Sequence, residues 1–133
     1  MPMITIRYIP PAGSNLRAAI AAAAADWAKA YLNKDPGVTA VLVEPADPAG
    51  WYIAGSRPAD AGLSAFWLDI KITAGTNLKA ETSRFVAEAF AGMAKLLGPL
   101  HPESYVLVHA VDGHAYGYGG YTQEQRWAQT QIH

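Results

Sequence analysis

The chain contains no cysteine, which excludes disulfides, thiolate metal sites and thiol nucleophiles. Charge is also sparse. Only 16% of the 133 residues are Asp, Glu, Lys or Arg, and the formal net charge is −1. So even a balance offers no electrostatic footprint for nucleic acid or an anionic membrane surface. No stretch approaches the roughly eighteen consecutive apolar residues of a membrane span. The alanine-rich run from Ala18 to Ala25 is barely hydrophobic, is followed by Asp26 and sits behind a good strand. It is therefore expected to be helix rather than a secretory leader, and a cytoplasmic location is the default. His109 and His114 meet no third ligand at a recognisable spacing, so no metal set is read.

What the chain does have is an apolar half, 51% of its residues, enough at this length for one domain with a real core. It also has an internal repeat. Residues 12–18 read Ala-Gly-Ser-Asn-Leu-Arg-Ala and residues 74–80 read Ala-Gly-Thr-Asn-Leu-Lys-Ala; five of the seven are identical, at an offset of 62. Ahead of each copy lies an alternating, β-branched strand, Ile4–Ile9 and Phe66–Thr73. Behind each comes a helix of about twenty residues, a length set by the spacing of apolar positions. Ser14 or Asn15 is placed to cap the first, and Thr76 or Asn77 the second. The first helix carries Leu16, Ile20, Ala23, Trp27 and Tyr31 on one stripe; the second carries Leu78, Thr82, Phe85, Ala89, Met93 and Leu96. Asp35-Pro36-Gly37 follows the first helix, and Gly98-Pro99 stops the second.

A second strand then follows in each half, Thr39–Glu44 and Tyr105–His109, with Val-Leu-Val in both. Such unbroken apolar runs are expected of strands paired parallel across a helical crossover and buried on both faces. Each half closes on an aromatic-glycine segment, residues 50–55 and 113–120. The expected fold is α+β, a two-layer tandem β-α-β repeat. It has a four-stranded mixed sheet, two helices on one face and short edge hairpins. It forms a single domain, with repeat 1 over about 1–62, repeat 2 over about 63–121 and a tail over 122–133. The sheet face away from the helices then needs cover, which oligomerisation would supply.

Several pieces together resemble the tautomerase superfamily in its fused, two-copy form. These are Met1-Pro2 opening a strand, Pro48-Ala49-Gly50 after the second strand, the Gly113-His114…Gly117-Tyr118-Gly119-Gly120 segment and the Asn33-Lys34-Asp35-Pro36 turn. The resemblance runs from the start to about Gly120. It implies a homotrimer of fused chains, sites between subunits, no cofactor and no metal, and a small-molecule partner bearing a carbonyl or enol. It implies that Pro2, once Met1 is removed, is the catalytic group.

The chemistry of that group is simple. Removing Met1 turns the Pro2 amide into a free secondary amine. An ordinary α-amino group titrates near about 7.7–8.0, and an apolar pocket lowers that value. A neutral amine is a competent general base for keto–enol tautomerisation; held protonated, it is instead an acid for hydratase, dehalogenase or decarboxylase chemistry. With Met1 retained, the nitrogen is an amide and the scaffold is a non-catalytic trimeric binding protein. Only the first copy can present a terminal amine, since the second strand starts near Ser64–Phe66, inside the chain. Positions where relatives carry substrate-binding arginines hold Ser14 and Thr76 here, which argues against a dicarboxylate substrate. The remaining candidates for substrate contact are Lys34 in its turn, Arg7 on the first strand, His114 in its loop, and Tyr116 and Tyr118. The resemblance places those two tyrosines near the proline of a neighbouring subunit. The tail, with Gln-Glu-Gln-Arg-Trp spacing, permits a short helix that would clasp a neighbour.

Overall fold

The computed structural model describes residues 2–131; Met1, whose removal the proline chemistry requires, and Ile132 and His133 of the tail lie outside the described residues. Strand β1 (Met3–Tyr8), helix α1 (Arg17–Leu32) and strand β2 (Ala40–Pro45) form the first unit; β3 (Phe66–Thr73), α2 (Lys79–Leu97) and β4 (Tyr105–Val111) form the second. They build one sheet in the order β2-β1-β3-β4. β1 runs parallel to β2, β3 parallel to β4, and the two units meet along an antiparallel β1–β3 ladder. A small hairpin, β5 (Gly117–Tyr118) and β6 (Tyr121–Thr122), leads into helix α3 (Gln123–Thr130). Both helices pack on one face of the sheet, as expected.

The period-2 alternation of β1 and β3 sends Ile4, Ile6 and Tyr8, with Phe66, Leu68, Ile70 and Ile72, towards the helices. There they meet Phe85, Ala89, Met93 and Leu97 of α2 and Ile20, Ala24, Ala28 and Leu32 of α1. The α1 stripe is therefore one position away from that read from the sequence. Ala24, not Ala23, is buried, and Trp27 and Tyr31 only flank the core. An alanine run has no apolar period of its own, so the neighbouring elements choose its face. Each helix also begins later than expected. α1 starts at Arg17 with no side-chain cap, and α2 starts at Lys79, where the Glu81 carboxylate accepts the Leu78 N–H at 2.7 Å. Leu78 consequently precedes α2 and stands exposed rather than on its core stripe.

The outer strands are not buried on both faces within one chain. Leu42 of β2 is 57% exposed and Leu107 of β4 is 50% exposed, on the sheet face opposite the helices. Met3, Trp67 and Tyr105 are exposed as well. Their strand positions put them on that same outward-facing set. Two pairs lie on the same face: the Arg7 guanidinium and Glu44 at 3.6 Å, and His109 Nε2 with Asp69 Oδ1 at 3.0 Å. Both edge strands therefore present apolar side chains on a face that no helix among the described residues covers.

The Trp27 indole of α1 lies against Gly92 of α2. A Cβ there would overlap the Trp27 indole of α1. Alanine ordinarily favours a helix over glycine by about 1 kcal/mol, but overpacking a fixed indole costs about 1–3 kcal/mol. Gly92→Ala is therefore expected to lower stability, read as a lower urea midpoint at unchanged slope, and Gly92→Ala combined with Trp27→Leu is expected to recover it.

Candidate functional site

Pro2 stands one residue before β1 and is fully buried. Its carbonyl accepts the Ala40 N–H at 3.1 Å, which extends the β1–β2 ladder past Met3. That bond holds the turn preceding β2 against the proline. Pro36–Val38 form a 3-10 turn whose first free amide, Gly37 N–H, donates to the Asp35 carboxylate at 2.8 Å. A cavity of about 400 Å³ opens here, walled by Pro2 and Met3, by Gly37–Ala40, and by Tyr116, Gly117 and Tyr118. Among the described residues its walls carry no charged side chain. Their side-chain donors are the hydroxyls of Thr39, Tyr116 and Tyr118, and that of Thr39 is occupied, donating to the Asp35 carbonyl at 2.7 Å.

Tyr116 is brought in by a bond between its hydroxyl and Thr73 Oγ1, 2.6 Å apart, at the end of β3. Because β1 and β3 are antiparallel, the end of β3 lies beside the start of β1, and the tyrosine reaches Pro2 of its own chain. The resemblance placed these tyrosines near a neighbouring subunit's proline; in the structure they also line a cavity with the proline of their own chain.

Three other candidates lie elsewhere. Lys34 Nζ donates to Thr76 Oγ1 at 3.0 Å, tying the turn after α1 to the turn before α2. Burial pulls its ammonium below the usual lysine value of 10.5, against an opposing pull from the Glu81 carboxylate. His114 is exposed and lines a separate shallow cavity with Tyr116, Gly117 and Gly120–Thr122. Arg7 is five residues along β1 from Pro2, about 17 Å away at strand rise. It lines a depression on the open sheet face with Thr5, Trp67, Asp69 and Lys71. The structure therefore joins Pro2, Tyr116 and Tyr118, and leaves Lys34, His114 and Arg7 outside that group.

The second unit's counterpart of Pro2 is Ser64. Its carbonyl accepts the His101 N–H at 2.9 Å, as Pro2 accepts that of Ala40. Its nitrogen, however, is an amide already donating to the Pro99 carbonyl at 2.9 Å, and its hydroxyl donates to the Ile9 carbonyl at 2.5 Å. Ser64 is buried and bonded at both groups, and Trp51 packs over the adjoining Ala65 and Ile9. Arg126 is a residue that the sequence reading passed over. Its guanidinium carbon lies 3.8 Å from the Tyr118 ring centroid. No local spacing announces that contact.

Comparison with solved structures now has a site to refer to. A fused 4-OT solved as a wild-type symmetric trimer superposes with a TM-score of 0.78 at 11% identity, covering 92% of this chain and 96% of that one. The fold is the fused tautomerase fold. Pt0534, solved after inactivation by 2-oxo-3-pentynoate, matches with a TM-score of 0.80 at 11% identity, over 93% of this chain and 98% of its own. A macrophage migration inhibitory factor-like protein from Entamoeba histolytica matches at 0.71 and 16% identity, over 91% and 97%. No protein-family model and no curated protein matches the chain by sequence.

The lowered Lys34 pKa has a sign that can be checked. Between its folded value and 10.5 the unfolded chain binds more protons at this site, so stability rises with pH across that window. The burial cost of the charged lysine is fully present below its folded pKa. Urea midpoints measured up to pH 10.5 are expected to show this added rise in the wild type and to lack it in Lys34→Met.

Proposed function

We propose that the chain is a cofactor-independent tautomerase in which Pro2, freed by removal of Met1, is the general base. The observation that carries the reading is the Pro2 cavity itself, apolar and walled by two tyrosines. In such surroundings a secondary amine is disfavoured in its charged form, and a neutral amine can accept a proton near neutral pH. Pro2 takes a proton from the carbon beside a carbonyl, the C–H electron pair becomes the enol double bond, and the oxygen gains negative charge. A tyrosine hydroxyl on the wall stabilises that oxygen by a hydrogen bond, and Pro2 then returns the proton. The reverse direction ketonises an enol.

With no cation on the walls, the site suits a small neutral or singly anionic carbonyl or enol compound rather than a dicarboxylate. Lys34, His114 and Arg7 take no part within one chain. The exposed apolar face carrying Leu42, Trp67, Tyr105 and Leu107 supports assembly through that face, and the fused 4-OT neighbour is a trimer. The proposed assembly is a homotrimer with three proline sites rather than six, because each Ser64 nitrogen is an amide. Sedimentation equilibrium is expected to return three chain masses.

The decisive experiment uses protein made without an N-terminal tag. Intact mass is expected to show loss of Met1, and the trimmed protein is expected to ketonise the enol of phenylpyruvate. Pro2→Ala is expected to lose at least about a hundredfold of that rate, the scale of a general base. Equal rates for trimmed wild type and Pro2→Ala would end the proposal. Retained Met1 with no turnover would instead favour a non-catalytic binding protein on the same scaffold.

A further inference from the structure

Helix α3 has no part in the proposed chemistry, yet the hydrogen bonds of its first half to residues before it end on the segment that carries the cavity wall. Its cap is reciprocal: Thr122 Oγ1 accepts the Gln125 N–H at 3.0 Å and Gln125 Oε1 accepts the Thr122 N–H at 2.8 Å. The Gln123 and Glu124 amides donate to the carbonyls of Tyr116, at 3.0 Å, and Gly113, at 2.9 Å. Within the same turn, Arg126 Nη2 donates to the Tyr118 carbonyl at 2.7 Å, while the guanidinium carbon lies over the Tyr118 ring, 3.8 Å from its centroid. The Tyr121 ring is 5.5 Å from the same guanidinium carbon. Gly119 makes the approach possible. Its φ of +61° is left-handed, and a Cβ there would stand 2.7 Å from Arg126 Nη2.

The wall needs such support. A hairpin with two-residue strands is marginal by itself, and Gly117, Gly119 and Gly120 give it large conformational freedom to lose. A guanidinium can bond a carbonyl with its edge and cover an aromatic ring with its face at once; an ammonium offers no such plane. We propose that Arg126 is a positioning residue. By bonding the Tyr118 carbonyl and placing its cation over the Tyr118 ring it fixes the wall of the Pro2 cavity and sets substrate fit without touching the substrate. Helix α3 is thereby a clasp for its own chain's site. This inference rests on the Pro2 reading, since fit to that cavity is what it explains.

The test compares wild type, Arg126→Ala and Arg126→Lys in full-length trimmed protein. Steady-state kinetics with phenylpyruvate enol is paired with amide hydrogen exchange over residues 117–122. Both variants are expected to raise KM about tenfold, the scale of a lost cation–π contact and charged hydrogen bond together, with kcat within about twofold of wild type. Exchange in the hairpin is expected to speed up in both. If Arg126→Ala fails to fold, the milder Arg126→Lys carries the test. Unchanged KM in an active, folded variant overturns the proposal, as does full rescue by lysine, and so does a loss confined to kcat. A wild type with no turnover of any enol defeats the Pro2 reading and this inference with it, a result distinct from an active wild type with indifferent variants.

Discussion

Everything at the candidate site depends on how β1 begins. β1 lies between β2 and β3, so its first residues are enclosed along both edges. An enclosed backbone N–H must find an acceptor. Pro2 stands just ahead of this central strand and joins its ladder through the carbonyl, whether or not its nitrogen is capped. The single bond from Ala40 N–H to the Pro2 carbonyl then closes the ladder and sets Gly37–Ala40 over the proline. The antiparallel β1–β3 register delivers the end of β3, and Tyr116 through Thr73, to the same place. A sheet register, rather than any cluster of charges, thus assembles the cavity.

The duplication makes the fold nearly symmetric but leaves the starts of β1 and β3 different in their nitrogen groups. Each unit closes its ladder with the same type of bond, at Pro2 and at Ser64. Only one of those nitrogens can ever be uncapped. The other is committed to the Pro99 carbonyl, and the aromatic segment beside it has become packing: Trp51 is buried, 4.8 Å from the Trp67 ring. The second aromatic segment keeps its glycines and opens a cavity instead. The second unit thus supplies Tyr116 through Tyr118 as a wall beside the first unit's Pro2.

Much of this was legible in the sequence because it is local. The seven-residue repeat, the alternation in β1 and β3, and the Pro/Gly stops fixed the order of elements and the two-layer fold. Pro2 with Tyr116 and Tyr118 was legible only as a set of candidates, and the structure unites those three. What was not legible depends on distant partners. The alanine-rich α1 has no face of its own, so Ala24 rather than Ala23 is buried. Leu78 resembles a helix residue until Glu81 starts the helix one residue later. Edge-strand residues such as Leu42 read as buried on both faces because an apolar run does not say which face the chain's own helices cover; Leu42 is on the face they leave open. Arg126 meets Tyr118 through a hairpin whose geometry depends on three glycines, and Lys34 meets Thr76 across 42 residues of chain.

The central claim is that a buried, apolar register places an uncapped, neutral amine at Pro2. The most direct measurement is a nitrogen-15 NMR titration of protein labelled at proline nitrogen and made without a tag. One proline nitrogen is expected to titrate as an amine, with its pKa below the ordinary α-amino range of about 7.7–8.0. A spectrum in which every proline nitrogen is a non-titrating amide, or in which the amine titrates at or above that range, would contradict the account.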